Sequence, residues 1–316
     1  MYYPIRSVAH GIMFHHFHGR GSVDHPVGQG SIDEDILRRM IGFLGRERIL
    51  NPPEFSARLK AGKLQPTDLV LTFDDALLCQ YELAAPVLDA LGICGFFFVH
   101  SAPFEGEIIK LEIYRLFRSR YYASFEEFFD AFARTMGNAG KISLNDAKSK
   151  MPLDYLSKHP FYSYEDRLFR FIRDNLLDHE EYQTIMDSMV ADKCALADLS
   201  RSLWMTNEHL RDLTQRGHEV GMHSYSHPTM LNRLSRELQA EEYARNSHHL
   251  RSTIGKPPSS MSHPCNSYNE DTLQILRRMN LEIGFRADMD NLSASSSFEI
   301  PRQDHANVLK MMTGCS

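Results

Sequence analysis

The sequence predicts an α/β fold in which parallel strands alternate with helices, closed as a barrel or left as an open sheet. Asp68-Leu-Val-Leu-Thr-Phe-Asp-Asp75 is a short apolar run closed by two carboxylates, and Leu83 to Leu91 then has helical spacing up to Gly92. Gly95-Phe-Phe-Phe-Val-His-Ser101 reads as the next buried strand. One β-α-β unit therefore fits in about 35 residues, its usual size, and a crossover of that kind makes the two strands parallel. The rhythm returns later: Thr206 to Arg216 reads as a helix stopped by Gly217, and His218-Glu-Val-Gly-Met222 as a strand leading into His223. In both arrangements ligands sit at the carboxyl ends of the strands.

The remaining elements follow in order. Ser7-Val-Ala-His-Gly-Ile-Met-Phe-His-His-Phe-His18 is strand-like and feeds a Gly-rich loop, Gly19 to Gly30. From Ala102 to Leu203 the pattern turns to aromatic-rich amphipathic helices, with capping-box patterns at Ser124-Phe-Glu-Glu127 and Ser163-Tyr-Glu-Asp166. This stretch, 102–203, is expected to be a helical insertion within one domain spanning 1–316. Its Tyr114, Tyr121, Tyr122, Phe128, Phe129 and Phe161 could stack on a ligand, but aromatic residues at helical spacing are more often core. Helices at about Ser235–Ile254 and Asn269–Met279 continue the alternation, and Ser293 to Ser297 reads as a loop.

Composition narrows the function. With 42% apolar and 24% charged residues the chain of 316 has the make-up of a globular protein, and a net charge of −6 argues against a nucleic-acid partner. The five cysteines, Cys79, Cys94, Cys194, Cys265 and Cys315, are scattered, with no CxxC pair. No window supplies about 18 uninterrupted apolar residues, so no transmembrane segment is expected. The first residues lack a signal-peptide pattern, and the expected location is cytoplasmic. A homo-oligomer is compatible with the sequence.

The chemistry rests on two short motifs. Asp74 and Asp75 are adjacent at a strand end, so alternation points them apart unless the backbone turns there, which allows one ligand and one base. His223-Ser-Tyr-Ser-His227 spaces two imidazoles four apart, on one face if the segment is a helical turn. Alone, the first could be a helix cap and the second a surface accident. Together, two imidazoles and a carboxylate make a three-ligand site with a coordination position left for water, as catalytic zinc needs. Such a metal lowers the pKa of its water toward about 7 while a nearby carboxylate takes the proton.

Thr72-Phe-Asp-Asp75, followed much later by His223-Ser-Tyr-Ser-His227-Pro228, resembles the first two motifs of the polysaccharide deacetylase family, carbohydrate esterase family 4, also known from its nodulation-type chitooligosaccharide deacetylases. The segment Leu210-Arg-Asp-Leu-Thr-Gln-Arg-Gly-His-Glu-Val-Gly221 is similar to the helix-turn-strand that precedes the histidines in relatives, and the resemblance runs from Ile12 to Val308 minus the insertion. It implies a distorted (β/α) barrel, with Asp74 as base and Asp75, His223 and His227 holding one divalent metal, Zn2+ first and Co2+ or Ni2+ as alternatives. The implied reaction is removal of N-acetyl groups from an amino sugar of a polysaccharide or glycan precursor. By family analogy the setting is bacterial surface-polysaccharide biosynthesis, lipopolysaccharide O-antigen included.

Later motifs depart from the family. Ser262-His-Pro-Cys265 stands where many members have Arg-x-Pro, and Ser262 cannot replace that arginine's charge. Arg302, in Ile300-Pro-Arg-Gln-Asp304, is the candidate to orient Asp74 instead, against the alternative of a surface salt bridge with Asp304. The Cys265 backbone N–H is the candidate oxyanion donor, since side-chain identity is irrelevant to that role. Ile12-Met-Phe-His15-His16 resembles a deacetylase strand whose histidine reaches the reaction centre, which makes His15 the first candidate acid, with His16, His18 and His305 behind it; His16 and His263 are expected as pocket residues. Two other readings remain: a binuclear amidohydrolase using His16-Phe-His18, and an inactive carbohydrate-binding relative.

Overall fold

The computed structural model describes residues 2–28, 30–156, 162–290, 292 and 296–314. Phe161, Cys315 and residues 293–295 of the expected serine loop lie outside them. The chain divides into two compact units, Met1–Ile109 with Trp204–Ser316, and Lys110–Leu203.

Among the described residues the first unit holds seven strands: β1 (His10–Phe14), β2 (Leu69–Asp74), β3 (Phe96–Val99), β4 (Glu219–Met222), β5 (Ser260–Ser262), β6 (Ile283–Phe285) and β7 (Arg302–Asp304). Every pairing is parallel, in the order β6-β5-β4-β3-β2-β1-β7. Phe285 makes a parallel bridge to Ile300, two residues ahead of β7. Ile300 N–H donates to the Gly284 carbonyl and its own carbonyl accepts from Arg286 N–H, both at 3.0 Å. The sheet is thereby nearly closed into a distorted (β/α) barrel.

β2 and β3 read as nearly continuous apolar runs because both of their faces are buried, as parallel sheets covered by helices require. Strand alternation assigns the faces. Val70, Phe96, Phe98, Ile283, Phe285 and Ile300 join one core cluster with Leu50 and Phe55. Phe73 and Phe97, on the other face, stack at 4.6 Å between centroids, and Phe14 stacks on Phe73 at 5.3 Å. Following the first face along β2 gives Val70, Thr72 and then Asp74, so its apolar layers end in polar groups at the carboxyl end.

The helices in chain order begin with α1 (Glu34–Leu44), α2 (Pro52–Lys60) and α3 (Ala85–Ala90). Asp33 caps α1 by accepting from Ile36 N–H at 2.7 Å. The helix expected over Leu83–Leu91 is entered through a wide π-type turn, Gln80–Ala84. The second unit contains α4 (Lys110–Tyr121), α5 (Phe125–Asn138), α6 (Leu144–Lys150), α7 (Tyr164–Phe171), α8 (His179–Ala191) and α9 (Leu196–Arg201). Ser124 and Ser163 do cap α5 and α7. Phe128 and Phe132 each pack edge to face against Phe169, and Tyr114, Phe128 and Phe129 are buried, so these rings form this unit's core. The first unit resumes with α10 (Asn207–Gln215), α11 (Arg236–Ile254), α12 (Glu270–Arg278) and α13 (His305–Thr313). No helix among the described residues is long and apolar enough to cross a membrane.

Candidate metal centre and active site

The backbone turns sharply at the end of β2. Asp75 and Ala76 both adopt positive φ, 81° and 57°, unusual for residues with a Cβ and a mark of local strain. The Asp75 N–H is held by the Phe98 carbonyl at 3.1 Å. The turn cancels the strand alternation, so both carboxylates approach His223. His223 Nε2 lies 3.3 Å from Asp75 Oδ1 and 3.9 Å from Asp74 Oδ2, and His227 Nε2 lies 3.3 Å from the same Asp75 Oδ1.

His223 and His227 meet without the helical turn that their spacing suggested. His223 directly follows β4, and the intervening loop has Ser224 and His227 at φ 62° and 56°. A chain reversal, rather than one face of a helix, brings the imidazoles to 4.8 Å between centroids. The His100 ring sits 5.6 Å from that of His227 and packs edge-on to Trp204.

These three residues fit a divalent metal. Asp75 Oδ1 is buried with no hydrogen-bond partner, an orphaned acceptor aimed at two imidazole nitrogens. Asp75, His223 and His227 form the one metal-compatible cluster among the described residues, their ligand atoms all within 4.8 Å of one another. Separations of 3.3 Å match the edge of a tetrahedron whose bonds are about 2.0–2.1 Å, the zinc values. His223 Nδ1 lies 2.9 Å from the Ser262 carbonyl and 2.8 Å from its hydroxyl. Donation from Nδ1 to the carbonyl leaves Nε2 as the lone-pair atom, the arrangement that orients metal-bound histidines. Ser262 therefore positions a candidate ligand, a role its sequence setting, seen only as a missing arginine, does not disclose.

Arg302 is fully buried and grips Asp74 with both terminal nitrogens, Nη1 to Oδ1 at 2.7 Å and Nη2 to Oδ2 at 2.8 Å. Its Nε donates to the Arg286 carbonyl at 2.8 Å and Nη1 also reaches Thr72 Oγ1 at 3.2 Å. The expected alternative, a surface pair with Asp304, is not formed. Asp304 instead caps α13 through Ala306 N–H. Gln80 fixes the turn from below, its amide donating to the Asp74 carbonyl at 2.5 Å and the His15 carbonyl at 2.8 Å.

Charge follows from these contacts. Burial would raise the Asp74 carboxyl, but Arg302, with His223 and His15, outweighs it and holds the group below the usual carboxylate value. Burial is likewise overcome at Asp75, which the histidines hold well below that value. The His223 imidazole is raised despite burial, because both carboxylates and the Ser262 carbonyl favour its protonated form in the metal-free site.

The other candidates fall in different places. His15 Nε2 is 4.0 Å from Asp74 Oδ2 and 3.9 Å from Asp75 Oδ2, on the rim of the site and partly exposed, with its imidazole lowered chiefly by burial. The His16 ring stacks beside that of His15 at 6.2 Å. His18 Nδ1 is engaged with Ser31 Oγ at 2.8 Å, and His305 faces the Met13 and Gly30 carbonyls through its two ring nitrogens. Those contacts take both away from the carboxylates. His263 is buried, stacked on Tyr268, with Nε2 on the Phe298 carbonyl at 2.9 Å. Cys265 is exposed at φ 49° in the tight turn after β5.

The class the fold and site define is a nearly closed parallel (β/α) barrel with a metal-compatible Asp-His-His cluster at its strand ends. A family model described as polysaccharide deacetylase matches residues 182–284, a span that contains His223, His227 and Ser262 but not Asp74, Asp75 or Arg302. Solved structures with a similar fold include the Streptococcus pyogenes deacetylase PplD in complex with acetate, with a TM-score of 0.56 and 16% identity over 94% of this chain and 92% of that one. IcaB from Ammonifex degensii gives 0.55 and 15%, over 94% and 91%. The BpsB deacetylase domain from Bordetella bronchiseptica gives 0.53 and 16%, over 95% and 97%. No curated protein matches the sequence. Residues 182–284 are thus similar to polysaccharide deacetylases, and the fold of the chain is that of these solved structures.

Proposed function

We propose that this protein is a metal-dependent N-deacetylase acting on an N-acetylated amino sugar of a polysaccharide or glycan precursor. The observation that carries the reading is the orphaned Asp75 Oδ1 between two imidazole nitrogens, beside a second carboxylate held in a bidentate grip by a buried arginine. Asp75, His223 and His227 would hold the ion, with Zn2+ the first expectation and Co2+ or Ni2+ the alternatives. When bound, it supplies Lewis acidity toward the acetyl carbonyl and toward water.

The protein's own groups carry the proton transfers. Asp74, kept ionised by Arg302, takes a proton from the attacking water as its oxygen bonds to the acetyl carbon. The C–N bond breaks, and His15, within reach of both carboxylates, gives a proton to the departing amine. Acetate and a free amine result. Asp74 can serve as base only while unprotonated, so the guanidinium that lowers its pKa also sets its charge state and orientation. The Cys265 N–H remains the proposed oxyanion donor. Bacterial surface-polysaccharide biosynthesis in the cytoplasm is the setting we propose.

The test is acetate release from a panel of N-acetylated glycans and nucleotide sugars by the metal-loaded protein and by Asp74→Asn, with metal content matched. Release by the first and not the second supports deacetylation and the base. Bound metal with no release from any substrate overturns the enzyme reading in favour of a glycan-binding relative.

A further inference from the structure

Two residues of α11, one helical turn apart, hold the loop that carries both histidines. Glu242 Oε2 accepts from the Tyr225 N–H at 3.0 Å and the Ser226 N–H at 2.8 Å, and its Oε1 accepts from the Ser226 hydroxyl at 2.7 Å. Asn246 is fully buried. Its Oδ1 accepts from the His223 N–H at 3.1 Å, and its amide donates to the Val99 carbonyl at 2.9 Å and Ser101 Oγ at 3.1 Å. A carboxylate accepting three donors from two consecutive residues is a clamp on the backbone between the histidines. Asn246 ties the start of the same loop to the end of β3.

The loop needs such a clamp. Ser224 and His227 are non-glycine residues at positive φ, a conformation that persists only where the surroundings over-determine it. Within the loop, the His227 N–H finds Ser224 Oγ at 3.1 Å. The N–H groups of Tyr225 and Ser226 are met from α11, while the Tyr225 carbonyl accepts from Ala102 N–H at 2.9 Å and the Tyr225 hydroxyl donates to Glu105 and Glu107.

We infer that Glu242 and Asn246 are positioning residues that set the spacing of the His223 and His227 imidazoles, and through it the affinity of the site for a divalent ion. This rests on the metal-dependent reading above. Neither side chain is a ligand; each acts through the backbone that carries the ligands.

The experiment compares Zn2+ affinity, by competition with a chromophoric chelator, and the visible absorption of the Co2+-loaded protein, in wild type, E242A and E242Q. The metal-free melting of each is recorded alongside. E242A is expected to lose on the order of tenfold in Zn2+ affinity, the lower end of what outer-shell changes cost, with a shifted Co2+ band. E242Q keeps an oxygen for the two N–H donors and an amide for the Ser226 hydroxyl, and should recover most of the affinity. A merely structural glutamate would change the melting of E242A and leave affinity and band alone, which would overturn the inference, as would an E242Q as weak as E242A. If E242A does not fold, E242D is the readout: it retains the charge but is one methylene short of the loop, and wild-type affinity there would overturn the clamp. A wild type that binds no Zn2+ overturns the metal reading itself, before any variant is considered.

Discussion

Arg302 on β7 and Asp74 on β2 meet over the intervening β1, joined by two parallel hydrogen bonds of 2.7 and 2.8 Å between fully buried groups. Removing one partner of such a pair strands the other. Arg302→Ala should cost about 3–5 kcal/mol of stability, the usual penalty for an uncompensated buried charge. Any folded fraction should lose turnover by about 100-fold or more while still binding metal, because the ligand atoms are untouched. Arg302→Lys should not rescue, since an ammonium cannot reproduce the bidentate fork. Urea unfolding, metal titration and acetate release on the same preparations check all three.

Gly11 is the neighbour that lets Arg302 through. It pairs with Arg302 across β1 and β7, and a Cβ there would sit 2.9 Å from Arg302 Cγ and 3.2 Å from Cδ. Gly11→Ala should therefore push the guanidinium off Asp74, costing about 1–3 kcal/mol as overpacking does. Activity should fall with metal affinity unchanged. A Gly11→Ala protein with wild-type kcat would show that the arginine has slack.

Metal should stabilise the folded chain. At a free concentration 100 times Kd, binding adds about 2.7 kcal/mol, so Tm should rise with Zn2+ and fall with a chelator. Asp75→Asn should abolish that dependence and Asp74→Asn should keep it, separating ligand from base in a thermal melt without any substrate.

A pH effect arises far from the carboxylates. His10 is buried between Tyr3 Oη and the Val8 carbonyl, both at 2.9 Å, and burial pushes its imidazole down to about 4. Between pH 6.5 and about 4 the unfolded chain takes up a proton that the folded one refuses, so stability contributed at neutral pH is lost as pH falls through that window. From pH 7 to pH 5 the loss from this group is about 2 kcal/mol. His10→Asn, which can still donate to Val8, should reduce the drop by that amount in urea titrations at the two pH values.

What could be read from the sequence depended on whether a residue's partner lay within the same motif. His223 and His227 were readable as a pair from their local spacing, while Asp75, in a distant motif, was joined to them by the chemistry of a three-ligand site and by the family resemblance. Arg302 was read as the group that orients Asp74, against a surface pair with Asp304, and only the closing strand distinguishes the two by bringing it onto Asp74. Ser262, Gln80, Glu242 and Asn246 carried no signal, since each acts on a backbone or ring brought to it by tertiary folding, and α11 looks like an ordinary polar helix. The helical reading of His223–His227 failed for a physical reason: left-handed serine and histidine residues are disfavoured locally and persist only where the fold imposes them.

The closure of the barrel through Ile300 and β7 has a bearing on biogenesis. Arg302 comes 228 residues after Asp74, whereas both histidines and the whole of α11 precede it. A ribosome therefore completes the acidic pair and the imidazoles long before it delivers the cation that balances Asp74. Until then, packing the β2 end into an interior would bury an unmatched negative charge. A chain ending before residue 302 would leave Asp74 without its buried partner, and its folded state should be less stable for that reason.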